Sequence, residues 1–313
     1  MAEASVIVTV RNEEETIIQL LRSLQNQSLK PRETIFVDGG SEDKTIENIR
    51  SFAGSDPTFK IISADGANRS KGRNIGISAA GSDIIACTDA GVVLDRHWLE
   101  NLVKPLVSGD AEFVAGVYVQ SGESLWQKCI GILQYPNLDK LDSNFLPSSR
   151  SVAFKKSVWK AVGGYPENLE KAEDTYFDLM VRERGFKVAL AKEAIVFWPA
   201  RDSLRDLFLQ YSSYAEWDVK AGLFFKLKIY RLMLLAYIFL GFSLFLIFKF
   251  GLWGFLFSFL IVLTYLGFSG VKAFGKTGRF LSFFLGMSVK ITIFLAETFG
   301  ILRGLISKVP KGK

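Results

Sequence analysis

Two uncharged apolar runs stand almost end to end near the C-terminus, and they limit what this chain can fold into more than any other feature. Residues 232–248 carry no charged side chain, residues 250–271 carry none either, and Lys249 alone separates them. Each run approaches the ~20 residues that cross a ~30 Å hydrocarbon core. The spacing therefore predicts a helical hairpin with spans at about 231–248 and 250–271. Lys226, Lys228 and Arg231 precede the first run, and Lys272, Lys276 and Arg279 follow the second. Cations on both outer flanks put those flanks on the cytosolic side and the tight turn outside. A third stretch, 280–303, is interrupted by Lys290 and Glu297, which share one helix face. Charges at mid-bilayer are costly, and Arg303, Lys308, Lys311 and Lys313 close the chain. This stretch reads as an amphipathic helix on the cytosolic leaflet, or as a third span with a buried ion pair.

The sequence ahead of these runs has a different character. After Asp218 the only acidic residue is Glu297, so most of the +6 balance arises in the C-terminal segment. Cations beside apolar runs point to anionic lipid headgroups. No stretch interleaves basic and aromatic residues as nucleic-acid-binding motifs do, so no nucleic-acid partner is expected. Cys87 and Cys129 form no CxxC pair and read as small core residues, which fits a reducing compartment. The opening MAEASVIVTVRNEE lacks the pattern of a signal peptide. The expected organisation is a cytosolic domain over 1–225 and membrane-anchoring helices over 226–313, that is, a multi-pass cell-membrane protein.

Short β-branched runs at 5–10, 34–37, 59–62 and 83–87 read as strands. Helices are expected after Asn12, from about Asp43, and over 70–80 and 97–106. Asn12 is expected to cap the first of these, with Glu13, Glu14 and Glu15 in its first turn. Further on come strands at 113–119 and 151–154, helices at 155–162 and 172–185, and a strand pair over 187–196, while 126–139 fits neither period. Alternation of this kind predicts an α/β fold, a mostly parallel Rossmann-like sheet flanked by helices. Ligands collect at the carboxyl ends of such strands, and Arg11, Asn12, Asp38 and Asp89 each lie just past one.

Several of these residues suit nucleotide chemistry. Carboxylates such as Asp38 and Asp89 can accept hydrogen bonds from a base and ribose, and the glycines after Asp38 allow close backbone approach; a solvated Asp-Gly turn is the plain alternative. Arg69, Lys71 and Arg73 cluster at a helix start, where guanidiniums and backbone N–H groups bind phosphate, or where a charged face simply meets water. Glu173 and Asp174 open a helix, either as proton acceptors or as charges complementing the helix dipole. With His97 the only histidine, no Ser/His/Asp arrangement forms around it.

The segments SVIVTVRNEEE, IFVDGGSEDKT, GANRSKGRNIGISAAGSDIIACTDAG, SSRSVAFKKSVWKAVGGYPENL and EDTYFDLMVRERG follow in order between about Ala4 and Gly222. In that order and spacing the chain resembles the family 2 glycosyltransferases. The resemblance implies a GT-A fold, a nucleotide-diphosphate sugar donor and an inverting single displacement. Carried over by position, Val10, Arg11, Glu13, Asp38, Gly40, Lys71, Arg73, Asp89 and Ala90 would line the nucleotide-sugar site. Asp89 would be the first carboxylate of the DxD motif and a ligand for Mg²⁺ or Mn²⁺. Asp174 would be the general base, with Glu173 beside it. Gln210, Tyr214 and Trp217 would lie in an interfacial segment near a lipid-linked or polyprenyl-type acceptor.

Two positions depart from that pattern. Gly39 stands where the family has a second acidic residue after the second strand, and Gly91 where it has the metal-binding carboxylate of DxD. Counter-charge for the donor diphosphate would then come from a metal on Asp89 alone, from a group such as Asp95, or from Lys71 and Arg73. The expected function is transfer of a sugar from a UDP- or GDP-sugar to a lipid-linked or membrane-proximal acceptor at the cytosolic face. A polyprenyl-phosphate sugar synthase and a non-catalytic nucleotide-sugar-binding membrane protein are the alternatives. RNEEE after the first strand argues against a nucleotidyltransferase, and the missing QxxRW signature against a processive synthase.

Overall fold

The computed structural model describes residues 3–134, 138, 141, 142 and 145–307. Lys308, Lys311, Lys313 and much of 135–144 lie outside the described residues. The described chain divides into two compact units, one of residues 3–121 and 138–199, the other of residues 122–134 and 200–307.

The first unit begins with β1 (Ala4–Val10), α1 (Ile17–Gln25), β2 (Glu33–Asp38), α2 (Thr45–Ala53), β3 (Phe59–Ser63) and α3 (Arg69–Ala79). It continues with β4 (Ile84–Asp89), β5 (Val93–Leu94), α4 (Trp98–Val107) and β6 (Phe113–Ser121). After an excursion into the second unit come β7 (Val152–Lys155), α6 (Lys156–Val162), α7 (Glu173–Glu183) and β8 (Val188–Pro199). The strands form one sheet in the order β3-β2-β1-β4-β7-β6-β8-β5. β1 pairs in parallel with β2 and β4, and β6 with β8, whereas β7 runs against both β4 and β6.

Alternate residues of each strand feed opposite faces, as the two-residue strand period requires. Val6, Val8 and Val10 enter the core on one side with Phe36 and Ala86. Ile7 enters the other side with Ile35, Val37, Ile85 and Cys87. A strand covered on both faces reads as an unbroken apolar run, which is why these segments look continuous in sequence. Fully burying one such side chain stabilises by about 1.5–3 kcal/mol. α3 lies unusually close to β1: a Cβ at Gly76 would come within 2.7 Å of Ile7 Cγ2, and one at Gly72 within 2.9 Å of Thr9 Cγ2.

Two local expectations need correction, and one short strand was not anticipated. The first helix begins at Ile17 and not after Asn12. Asn12 instead adopts φ 56°, and its side-chain oxygen accepts the Glu42 N–H at 2.9 Å, so no cap is left for a helix there. The expected strand pair over 187–196 is a single strand, β8, whose pairing with β6 jumps between Leu190 and Ile195. The short β5, paired with β8, had no sequence signal of its own.

The second unit comprises α5 (Leu125–Gln134), α8 (Leu204–Lys220), α9 (Lys228–Phe250), α10 (Leu252–Thr277) and α11 (Leu281–Ile306). α9, α10 and α11 are 23, 26 and 26 residues long, and each is long and apolar enough to cross a membrane. Gly251, at φ 53°, makes the turn between α9 and α10. Glycines set the close packing of α11 on α8. A Cβ at Gly300 would meet the Ser212 carbonyl oxygen at 2.1 Å, and one at Gly304 the Glu216 carbonyl at 2.8 Å. Small residues four apart are the usual means by which apolar helices approach this closely. On another side, Cys129 and Ile130 of α5 pack with Ala273, Val289 and Ile293.

Candidate active site

Because β1, β2 and β4 are parallel, their last residues arrive at one edge of the sheet. Val10 is registered with Asp38 and Thr9 with Asp89. A cavity of about 440 Å³ opens at this edge, lined by Thr9, Val10, Arg11, Glu13, Val37, Gly39, Gly66, Ala67, Asn68, Arg69, Gly72 and Glu170. Its size is within the usual range for a small-ligand site. Cations (Arg11, Arg69), carboxylates (Glu13, Glu170) and exposed backbone line the same space.

Local structure explains how these groups reach the cavity. The left-handed turn at Asn12 takes Glu13 out of helix α1, where its carboxylate accepts the Thr16 hydroxyl at 2.5 Å. The same Glu13 carboxylate lies 3.4 Å from where a Cβ of Gly91 would be. Asp38 is buried, and one carboxylate oxygen accepts from the Ser41 N–H at 3.0 Å and from its hydroxyl at 2.7 Å. The glycine at position 39 has a physical cause, since a Cβ there would stand 2.8 Å from the Ala67 carbonyl. Gly40 follows in the left-handed region at φ 93°. Asn68 caps α3 by accepting the Lys71 N–H at 2.9 Å.

One strand further along the edge is a buried ionic chain. Arg73, 2% exposed, donates to Asp89 at 2.9 Å and to Glu173 at 2.6 Å. Arg150 approaches the other oxygen of Asp89 at 3.4 Å. Burial alone would raise the Asp89 pKa, but the charges of Arg73, Arg150 and Arg69 outweigh it and hold the carboxyl at about 2. Glu173 goes the other way: burial first, and then the neighbouring Asp174, push its pKa up. Asp174 is half-buried in the first turn of α7, and Ala172 before it takes a left-handed φ of 62°. A non-glycine residue held there stores strain of order 1–3 kcal/mol, which surrounding structure must offset. Asn12 and Ala172 have positive φ, and no other non-glycine residue does among those described. Asn12 adjoins Glu13 and Ala172 adjoins Glu173.

The structure thus brings Val10, Arg11 and Glu13 to the cavity wall, and joins Arg73, Asp89 and Glu173 beside it. Asp38 and Gly40 sit at the end of β2, Ala90 is buried in the turn after Asp89, and Lys71 is exposed on α3. Arg73 is held between two carboxylates and is not among the cavity-lining residues. Asp95 accepts the His97 N–H at 2.8 Å, at the start of α4. In the second unit, Gln210 on α8 donates to the Tyr214 hydroxyl at 3.0 Å, and Trp217 is buried beneath the Lys220 ammonium. Cys87 is inert, its thiol pushed up to about 12 by burial.

Several functional candidates escaped the sequence reading. Glu170 is one, and Arg150 is another: the antiparallel course of β7 brings Arg150 to the edge where Asp89 ends. Asp178 is a third, one helical turn beyond Asp174, buried, and pushed well above the ordinary carboxylate range by burial and by Asp174. The i, i+4 spacing on α7 was the available signal for it.

Residues 5–153 match the family model described as Glycosyl transferase family 2. The chain carries a family 2 glycosyltransferase domain. Succinoglycan biosynthesis protein ExoA of Rhizobium meliloti is 27% identical over 230 residues, covering 69% of this chain and 68% of that protein. Glycosyltransferase AglE of Haloferax volcanii is 27% identical over 213 residues, covering 63% of this chain and 67% of that one. Among solved structures, the Pyrobaculum calidifontis mannosyltransferase in complex with GDP-Man and Mn²⁺ superposes with a TM-score of 0.62 at 19% identity, covering 97% of this chain and 87% of that one. That likeness shows the fold of this glycosyltransferase to be GT-A.

The GT-A fold raises the question of a divalent cation. In this glycosyltransferase both oxygens of Asp89 face guanidiniums, and Gly91 supplies no carboxylate. Among the described residues, no group of three His, Cys, Asp or Glu side chains is placed to hold a metal. A cation at Asp89 would also meet the repulsion of nearby arginines. Of the two DxD positions, Asp89 alone keeps a carboxylate, and Arg73 and Arg150 flank it.

Proposed function

We propose that this glycosyltransferase moves a sugar, with inversion, from a UDP- or GDP-sugar to a lipid-linked acceptor at the cytosolic membrane face. The observation that carries the reading is the adjacency of two features on one sheet edge. A cavity suited to a nucleotide ends where Asp89, Arg73 and Glu173 form a chain leading to Asp174. Val10, Arg11, Glu13, Asp38 and Gly40 would hold the nucleoside half of the donor. Asp174 would take the proton of the attacking hydroxyl; if the acceptor is an already ionised lipid phosphate, it would only orient it. Single displacement is supported because Glu173, the other carboxylate of the pair, is committed to Arg73 and offers no free second nucleophile. Three apolar helices in the second unit support a membrane-resident acceptor, since holding the site at the bilayer raises the acceptor's effective concentration. Gln210, Tyr214 and Trp217 on α8 are proposed to face that acceptor.

The test is a panel of radiolabelled nucleotide sugars added to membranes containing the full chain, followed by analysis of the extracted lipid. One sugar should pass to lipid, and Asp174→Asn should lower the rate by about 10²–10⁴-fold, the usual contribution of a positioned base. Full transfer by that variant would remove Asp174 from the role.

A further inference from the structure

Residues 163–172 belong to no helix or strand, yet they carry Glu170 to the cavity and lead directly into Glu173 and Asp174. Gly163 and Gly164 open the segment in the left-handed region, at φ 86° and 80°. With no ladder to hold its backbone, its place depends on side chains, and α3 supplies them.

Asn74 makes the first hold. Its amide oxygen accepts the Tyr165 backbone N–H and the Trp159 ring N–H, each at 2.9 Å. Its amide nitrogen donates to the Tyr165 carbonyl and to a Glu167 carboxylate oxygen, each at 2.9 Å. A carboxamide has two donors and two acceptor lone pairs, so this one is fully engaged. Asn68 makes the second hold. While its oxygen caps α3, its nitrogen donates to the carbonyls of Glu167 at 2.7 Å and Leu169 at 3.4 Å. Arg73 then takes Glu173 at 2.6 Å. One helix thus grips the segment at 165, 167, 169 and 173, on either side of Glu170 and up to the residue before Asp174. The same helix start gives Asn68, Arg69 and Gly72 to the cavity wall. Tyr165, stacked on Phe177 with ring centroids 4.2 Å apart, passes the setting of the segment to α7 itself.

We propose that Asn74 and Asn68 are positioning residues for the transfer step: they clamp residues 163–172 to α3 and so fix Asp174 relative to the donor cavity. The inference rests on Asp174 being the proton acceptor, as read above. Cavity wall and base then share one support, so a bound donor and the base keep a constant separation. An amide suits the clamp because it donates and accepts without adding charge beside the Asp89–Arg73–Glu173 chain. A reacting group displaced by ~1 Å can lose about 10²-fold in rate, whereas a nucleotide held at the ends of β1 and β2 keeps its contacts.

The experiment uses the full chain in nanodiscs: wild type, Asn74→Asp, Asn74→Asp combined with Glu167→Gln, and Asp174→Asn. It measures Kd for UDP and GDP, and kcat per nucleotide-binding site with the nucleotide sugar that the membrane panel identifies. Asn74→Asp keeps both acceptor contacts, removes both donors and sets two carboxylates side by side. For the diphosphate that binds wild type, Kd should stay within about twofold, while kcat per site falls at least about tenfold. Adding Glu167→Gln should return part of that loss, because the new amide donates across the same pair; a mere loss of folded protein would give neither the split nor the recovery. A smaller fall in kcat, a parallel loss of nucleotide binding, or no recovery would overturn the clamp. Should Asn74→Asp bind no nucleotide at all, Asn68→Asp, which keeps an N-cap oxygen and loses the donors to the segment, must show the same split, and its failure overturns the clamp equally. Full activity in Asp174→Asn would remove the base and with it what the clamp positions. Loss of activity in Asp174→Asn without loss in Asn74→Asp would remove the clamp alone.

Discussion

Arg73 is the residue on which the ionic chain of the first unit depends. Replacing it with Met would leave Asp89 and Glu173 facing each other without their shared cation. Removing one partner of a buried pair costs about 3–5 kcal/mol, and a drop of that size should appear in the thermal unfolding of Arg73→Met. Acid should reveal the same chain. The Asp89 carboxyl sits at about 2 in the fold against an ordinary 3.8. A depressed carboxylate stabilises the fold above its unfolded pKa and loses that contribution as pH falls toward the folded value. Glu33 also sits at about 2, because Lys60, the Gly81 N–H and Ser5 outweigh the effect of its burial. The thermal midpoint should therefore decline between about pH 4 and pH 2. Asp89→Asn and Glu33→Gln should each remove part of the slope, and a midpoint independent of pH across that window would contradict both assignments. The legibility of individual residues varied with how local their signal was. Asp38 and Asp89 were visible because each directly follows a β-branched run. Arg150 was not, because its place at the edge is set by the reversed strand β7, which no local pattern reveals.

Elements show a sharper contrast between what was readable and what was not. Strands β1, β2 and β4, buried on both faces, stood out as apolar runs, and helices α9 and α10 as uncharged ones. α1 started late because Asn12 and Glu13 are drawn into contacts with Glu42 and Thr45, some 30 residues away in sequence. Such contacts override capping preference and cannot be read from a window. The packing of α11 on α8 makes a testable distinction among helical glycines. A methyl at Gly300 would strike the Ser212 carbonyl oxygen, whereas nothing lies within 4 Å of one at Gly241. Gly300→Ala should lower the midpoint in detergent by several degrees. Gly241→Ala should be neutral or slightly stabilising, given the ~1 kcal/mol propensity gain of alanine over glycine in a helix. Equal effects at the two positions would mean that α8 and α11 do not approach so closely.

For the whole molecule, the division into units does not follow the order of the chain. α5 leaves the sheet between β6 and β7 and packs Cys129 and Ile130 with α10 and α11 residues. A fragment ending at residue 225, the boundary suggested by composition, would keep α5 and discard those partners. Its apolar face (Ile130, Leu133, Trp126) would meet water, and such a fragment should be recovered only with detergent or as aggregates. A soluble, monomeric 1–225 fragment in gel filtration would disprove this. The excursion also affects how the protein can be made. A ribosome releases α5 before α10 and α11 exist, so that helix must wait in a nascent chain for its partners. The strand that completes the middle of the sheet, β7, emerges only after it. The middle of the sheet therefore closes only after the chain has made its excursion through α5.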